Sequence, residues 1–412
     1  MTRIYTFSTL LFLLISYSAK AQEGLTVKPV AAMQTWGVYT TNEAVFDPDL
    51  QKYDPVKDQV NIYIRRTRLG VLVKKDDWIS LRLVGAFDNI GHNPLAGTVG
   101  GTNNGSFPVF GLWDAVFDLK ISRKSDALHV LGGYYTPIVS RESVTSAFKV
   151  SSMEKSLSQT YIRQHLTGKG PGRTTGVTLG GILFNAAHTQ GIKYAFGMHN
   201  PVFTTLGAEG SRPMWAGRLV WYCGQLEGQK FQMAEPVFSA TKTNILTLGT
   251  SGTYQGETYL FKSSWSGGVD MHAQWQQFSL EGEWYFLGRN SADFSNVEQT
   301  GFLRAAAYLP FREKHLLEPT VMWMFFRGSM TGFEQLEAQT LGSFSGAEST
   351  VDAGVNWHLT KQKVKIYVHY NWRLADSGAL GAGAANNLYF YQPGVEAIKR
   401  GNWLGIGVNV VL

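Results

Sequence analysis

The sequence contains very little cysteine, few charged residues and no long apolar run beyond its first segment. Its 412 residues include one cysteine, Cys223, so neither an intramolecular disulfide nor a cysteine-based zinc site can form. Charged residues make up 17% of the chain, below the roughly 25% that is usual for soluble domains. After residue 21 no continuous apolar stretch reaches the about 18 residues of a transmembrane helix. Disulfide-stapled secreted domains and helical membrane proteins are therefore excluded.

Motifs of catalysis and metal binding are also scarce. The histidines are scattered, without the H-x-x-x-H spacing of a metal site, and there is no G-x-S-x-G nucleophile motif. The stretch GKGPGRTTG at residues 168–176 lacks the order of a phosphate-binding loop and precedes strand-like sequence instead of a helix. We therefore predict that the chain is not an enzyme and has no cofactor, no metal and no nucleic-acid partner.

The first residues have the pattern of a secretory signal peptide. Arg3 precedes an apolar run at residues 7–15, and Ala19-Lys20-Ala21 supplies the small residues of a cleavage site before Gln22. An uncleaved anchor helix is the alternative, but the run is shorter than the ~20 residues that a span needs. We expect a signal peptide at 1–21 and one domain at 22–412. Export without disulfides favours a Gram-negative envelope.

What the chain does have is glycine, aromatic residues and a period of two. Glycine occurs 45 times, and aromatic residues make up 13% of the chain. Residues 112–121, 278–286 and 363–373 alternate apolar and polar side chains. A soluble antiparallel sandwich shows the same alternation, but many segments here run about ten residues, close to the 9–11 of a tilted transmembrane strand. Turns such as 74–77 are short, and loops such as 97–105 are long.

These features predict an all-β fold, a closed transmembrane antiparallel β-barrel. Its final strand, NWLGIGVNVVL, stays apolar on one face to the end of the chain. The 391 residues that follow residue 21 give about sixteen strands at roughly 24 residues per strand and loop. Tryptophans near the predicted strand ends are candidates for interfacial girdles: Trp78, Trp113, Trp221, Trp372 and Trp403.

The order of several short motifs resembles the phosphate-selective porin O and P family. These motifs are RRTRLGV, DWISLRLVGAFD, WDAVFDLK, GGYYTPIVSRESVTS, YAFGMHNP, WAGRLVWY, LEGEWYF and GVNWHLTKQKVKIYVHYNW. The resemblance implies an outer-membrane porin of a Gram-negative bacterium, a long loop that folds toward the lumen, and a homotrimer. The chain departs from the family because it ends in Leu412 where these barrels usually end in Phe.

Three arginines lie inside the apolar strand at residues 60–73, where an unpaired buried charge would be costly. Arg66 and Arg68 share a face, whereas Arg65 points oppositely and needs either a rim position or a β-bulge. Arg66, Arg68 and Arg82 of the next strand either line the pore and favour anions or pair with Asp88, Asp114 and Asp118 to brace the wall. The pore-lining candidates are Arg66, Arg68, Arg82, Asp114, Asp118, Lys120, Arg218, Glu281 and Glu283.

A second basic group lies in the long segment 137–172, which contains more basic than acidic residues. If this segment folds inward it would form a positive constriction, and otherwise it is a solvated loop. Glu281 and Glu283 limit the predicted anion preference because they face the same lumen. The constriction-loop candidates are Arg141, Lys149, Lys155, Arg163 and Lys169.

The sequence therefore predicts a porin for passive diffusion of small hydrophilic solutes, with a mild preference for anions such as phosphate. Its partners would be outer-membrane lipid, these solutes and two further copies of the chain. Two alternatives stay open, a non-conducting structural or surface-binding barrel and, less favoured, an outer-membrane barrel enzyme. An enzyme would need a Ser/His/Asp-type cluster at one rim, whereas a porin needs a continuous lumen.

Overall fold

A computed structural model describes residues 24–93, 95, 110–168, 170–202, 212–224, 230–235, 243–312, 315–360, 363–374, 391–392 and 396–412. The predicted signal peptide at 1–21 and Lys169 lie outside these residues. Sixteen strands close one antiparallel barrel: β1 (Leu25–Thr41), β4 (Gln59–Lys75), β5 (Ile79–Ala86), β6 (Gly111–Lys120), β7 (His129–Tyr135), β8 (Thr174–Phe184), β9 (Gln190–His199), β10 (Met214–Gly224), β11 (Thr243–Gln255), β12 (Ser263–Gln276), β13 (Phe278–Asn290), β14 (Ser295–Ala307), β16 (His315–Arg327), β17 (Ala347–Thr360), β18 (Val364–Arg373) and β21 (Asn402–Val411).

The remaining elements lie in the connections. The described residues also form the short strands β2 (Ala44–Asp47), β3 (Lys52–Pro55), β15 (Leu309–Phe311), β19 (Tyr391–Gln392) and β20 (Glu396–Lys399). Three helices are α1 (Arg141–Val144), α2 (Leu157–Thr167) and α3 (Gly332–Thr340). Among the described residues, no helix is long and apolar enough to cross a membrane.

The first and last strands close the barrel. Strand β1 pairs with β4 on one side and with β21 on the other, so that Gly37 faces both Ile62 and Ile406. Closure leaves no open sheet edge, which is the condition for strands that cross a bilayer. The prediction of a closed antiparallel barrel of about sixteen strands is confirmed.

Period-two alternation places apolar side chains on the outer face. On β10, Trp215 and Leu219 are exposed, while Ala216 and Arg218 between them are buried. The same pattern continues to the last strand, where the side chains that were predicted to share one face point outward. An exposed apolar surface on a barrel with a polar interior is typical of membrane barrels.

The two ends of the barrel differ in their connections. Turns 76–78, 121–128 and 185–189 lie at one end, here called the short-turn end. The opposite, long-loop end carries the connection between β7 and β8 and a small sheet in which β2 pairs with β3 and β20, and β20 pairs with β19. This asymmetry is the one that the sequence predicts.

A β-bulge explains the direction of Arg65. The pairing of β1 with β4 steps from Gln34–Arg66 to Thr35–Ile64, which leaves Arg65 as the extra residue. Because an extra residue reverses the alternation, Arg65 and Arg66 both point into the barrel and are both buried. Of the two explanations that the sequence left open, the bulge is correct.

Two tryptophans are not at the outer surface. A second irregularity between β5 and β6 leaves Trp113 unpaired, and the guanidinium carbons of Arg68 and Arg173 each lie 3.6 Å from the centroid of its ring. Trp403 is fully buried and stacks on Trp36 at 5.9 Å. The girdle prediction is therefore wrong for Trp113 and Trp403, since both rings pack inside the barrel.

Candidate functional site in the barrel lumen

The connection between β7 and β8, here called the inward loop (residues 136–173), folds into the barrel. Ser156 caps the start of α2 by accepting a hydrogen bond from the Ser158 amide, and Gly168 ends the helix with a positive φ of 63°. The ring of Tyr161 on α2 stacks on Phe326 of the wall at 3.8 Å. Apolar side chains of α2 thus pack against the inner wall, and the predicted inward folding of this loop is confirmed.

A ring of four charges joins the inward loop to the wall. Arg304 contacts Glu142 of the loop at 2.7 Å and Glu281 of β13 at 2.5 Å. Arg141 of the loop contacts Glu281 at 3.1 Å. All four side chains are buried, so each charge has an opposite charge in place of the water that it has lost.

Glu283 holds the start of α1. Its carboxylate accepts hydrogen bonds from the Ser140 hydroxyl at 2.8 Å and the Glu142 amide at 3.0 Å. It also accepts one from the Ser158 hydroxyl at 2.5 Å. Glu281 and Glu283, which the sequence placed on the pore wall, therefore both bind the inward loop.

Ion pairs and hydrogen bonds also join the other side of the inward loop to the barrel wall. Glu154 contacts Arg65 at 2.8 Å and also pairs with Arg66. On β18 and β21, Lys365 and Asn409 donate hydrogen bonds to loop carbonyl oxygens at 2.8 Å and 2.7 Å. The loop is thus attached to strands on both sides of the lumen.

Several of the predicted pore-lining residues form ion pairs. Arg68 contacts Asp88 at 2.6 Å, and Arg82 contacts Asp114 at 3.2 Å. The predicted pairing of these arginines with Asp88 and Asp114 is present. Asp118 instead contacts His129 at 2.7 Å, and therefore the prediction that Asp118 pairs with an arginine is wrong. Lys120 contacts Asp126 at 3.3 Å, and Arg218 contacts Asp270 at 2.5 Å.

Two basic side chains of the inward loop lack such partners. Lys155 donates to the Thr145 carbonyl oxygen at 2.6 Å, and Arg163 donates to a loop carbonyl oxygen. Among the described residues neither forms an ion pair, and the Nε of Arg163 is buried without a partner. Both side chains are buried, whereas Lys149 on the same loop is exposed.

Burial and neighbouring positive charges lower the pKa of the Lys155 and Arg163 side chains. Burial and the guanidinium of Arg163 hold the pKa of Lys155 well below its ordinary value. Burial and the charges of Arg173 and Arg66 do the same to the pKa of Arg163. Positive charges therefore repel one another here, and a small anion would relieve that repulsion.

A second segment enters the lumen from the short-turn end, and the sequence analysis missed it. Of the connection between β10 and β11, residues 230–235 are described, and within them Phe231 and Glu235 are buried inside the barrel. The only signal in the sequence is length, because this connection spans residues 225–242 at an end where other turns are short.

No sequence-family model matches the chain, and no curated protein matches it in sequence. Its architecture is similar to solved porins. OprB of Pseudomonas putida superposes with a TM-score of 0.55 at 10% identity, over 94% of each chain. An anion-selective porin from Comamonas acidovorans gives 0.56 at 10% identity, over 94% of this chain and 100% of that one. The outer-membrane channel DcaP of Acinetobacter baumannii gives 0.51 at 12%, over 95% and 99%. The chain thus has the fold of the sixteen-stranded porins.

Within the described ranges, no group of three or more histidine, cysteine or acidic side chains lies close enough to hold a metal ion.

Proposed function

We propose that the chain is an outer-membrane channel for passive diffusion of small hydrophilic solutes. The observation that carries this proposal is the inward loop, which crosses a polar lumen and is held at a fixed depth by buried ion pairs with the wall. A loop fixed in this way narrows a pore, and the exposed apolar outer face suits a bilayer. The porin fold and the order of the sequence motifs support the same function.

A mild preference for anions is the finer part of this proposal. Most wall arginines are neutralised by carboxylates, whereas Lys155 and Arg163 have only carbonyl partners. Positive charge along a pore favours anions. An anion-selective porin shares the fold. Phosphate as a solute, membership of the phosphate-selective porin O and P family, and a homotrimer rest on the sequence resemblance.

A non-conducting barrel is the second candidate, and one observation favours it. The centre of the inward loop is as buried as the core of a soluble protein, with Leu157, Tyr161 and Ile162 fully enclosed. A loop packed this tightly could close the lumen and leave the barrel with a structural or surface-binding role.

Conductance in a planar bilayer separates the two candidates. The purified protein should give stable open steps, and under a KCl gradient the reversal potential should favour chloride. Lys155→Met and Arg163→Met should shift that potential toward neutrality, because each removes a cation and keeps most of the side-chain volume. Lys124→Met, an exposed lysine in turn 121–128 at the short-turn end, is the matched control. A folded barrel that passes no current would refute the channel and leave the structural role.

A further inference from the structure

The segment of residues 230–235 passes from the short-turn end into the barrel. At its start, the exposed side chain of Lys230 lies 3.5 Å from Asp77 in a turn at that end. One residue later, Phe231 is buried against the ring of His129, with the centroids 4.9 Å apart. A Cβ atom at Gly180 would lie 2.5 Å from the Phe231 ring, so glycine at this wall position provides the room for it.

Glu235 fixes the other end of this segment to the wall. Its carboxylate lies 3.2 Å from Lys193 of β9 and 3.3 Å from Arg218 of β10, and it accepts a hydrogen bond from Tyr222 at 2.7 Å. Lys193 also donates to the carbonyl oxygen of Ala234 at 3.4 Å. Three polar side chains of two neighbouring strands therefore converge on one buried carboxylate.

The inner end of this segment reaches the inward loop, whereas Phe231 lies nearer the short-turn end, beside His129 at the first position of β7. Arg218, which contacts Glu235, is paired in register with Ser251 of β11, and the Ser251 hydroxyl accepts a hydrogen bond from the Ser140 amide of the inward loop at 3.1 Å. Ile138 of the inward loop and Phe231 belong to one buried apolar cluster. The lumen on this side is thus narrowed from both ends.

The charges of this segment differ from those of the inward loop. Glu235 is matched by Lys193 and Arg218, and Arg218 is also matched by Asp270 at 2.5 Å. Phe231 adds bulk without charge. This segment should therefore restrict solutes by their size, whereas Lys155 and Arg163 of the inward loop, which have no ion-pair partner among the described residues, should restrict them by their charge.

We propose that residues 230–235 form a second constriction, in series with the inward loop, which limits the size of solutes and leaves ion selectivity unchanged. This inference rests on the proposed channel function. Phe231 supplies the bulk, and the contacts of Glu235 with Lys193, Arg218 and Tyr222 hold the segment in the lumen.

The test is the single-channel conductance of Phe231→Ala. If the two constrictions contribute equal resistances in series, removing one raises the conductance about twofold, with the reversal potential unchanged. Phe196→Ala is the matched control, because Phe196 is 54% exposed on the outer face, and it should conduct like the unaltered protein. Glu235→Gln keeps the side-chain volume and weakens the attachment, so it should also raise the conductance if Phe231→Ala does not fold.

The outcomes distinguish the inference from the function on which it rests. A conducting protein in which folded Phe231→Ala or Glu235→Gln behaves like the Phe196→Ala control would overturn the second constriction and keep the channel. A shift of the reversal potential in Phe231→Ala would overturn the assignment of size selection to this segment. An unaltered barrel and a Phe231→Ala variant that both fail to conduct would overturn the channel itself.

Discussion

Replacing Arg304 by methionine tests how the inward loop is held. The substitution keeps a long side chain but removes the ion-pair contact of Glu142 and leaves Glu281 with Arg141 alone in ion-pair contact. Removing one member of a buried ion pair destabilises a protein by roughly 3–5 kcal/mol, because the partner charge stays buried without compensation. Because every 1.4 kcal/mol is tenfold in an equilibrium constant, roughly 3 kcal/mol would raise the population of loop-open molecules by about a hundredfold.

Limited trypsin digestion in detergent measures that population. Cleavage after the buried Lys155 and Arg163, identified by fragment mass, is the readout, because Lys149 of the same loop is exposed. Cleavage at the buried sites follows the open population when opening and closing are fast. Arg82→Met is the matched control, because its side chain is 41% exposed and a surface pair contributes about 0–1 kcal/mol. Equal cleavage rates in the Arg304→Met and Arg82→Met variants would refute the role of the charge ring.

A double variant separates charge balance from lost packing. Arg304→Met combined with Glu142→Gln leaves Arg141 and Glu281 as a matched pair. Because a buried ion pair and an apolar replacement of similar volume are often close in stability, protection from trypsin should largely return. If the double variant is cleaved as fast as Arg304→Met alone, the loss arises from packing and the argument from charge is wrong.

Three further predictions concern other parts of the barrel. Lys155→Met should lower the ratio of chloride to potassium permeability, and a KCl reversal potential equal to that of the unaltered protein would contradict it. Burial raises the pKa of Glu43 from 4.5 to about 7. Between these two pH values the folded state therefore binds more protons than the unfolded state, so the free energy of unfolding should fall as the pH rises. Thermal unfolding of Glu43→Gln should lack this dependence, and an unchanged pH profile would count against it. Gly180→Ala should force the Phe231 ring away from the wall and destabilise the barrel by about 1–3 kcal/mol in denaturant unfolding. Gly267→Ala should leave the stability unchanged, because a Cβ at that position meets no atom within 4 Å.

The barrel could be predicted from sequence because its signal is repeated. Every spanning strand must alternate apolar and polar side chains, so an error in one segment is corrected by the others. The exceptions depend on single partners that are distant in sequence. The inward direction of Arg65 requires a bulge, and its carboxylate partner Glu154 lies 89 residues further along the chain. Period-two reasoning contains no information about such a partner.

The candidate site was predicted less well for a related reason. The length and charge of the segment predicted the inward loop. They did not predict which loop residue pairs with each charged residue of the wall, because that pairing depends on the depth of the loop in the barrel. Segment 230–235 gave no periodic signal because it is neither strand nor helix. Its Phe231 packs like a core residue, which a count of charges cannot show.

The distribution of matched and unmatched charges decides which groups act on a solute. An arginine with a carboxylate partner contributes a dipole, and its field falls off faster with distance than that of a free cation. Arg66, Arg68 and Arg82 are all matched in this way, so the arginines that first suggested an anion path in the sequence contribute chiefly to the wall. Lys155 and Arg163 donate to carbonyl oxygens, and among the described residues neither is in ion-pair contact with a carboxylate. Selectivity of this barrel should therefore reside chiefly where a cation donates to a carbonyl oxygen instead of a carboxylate, which is the case in the inward loop and at Lys365 of β18.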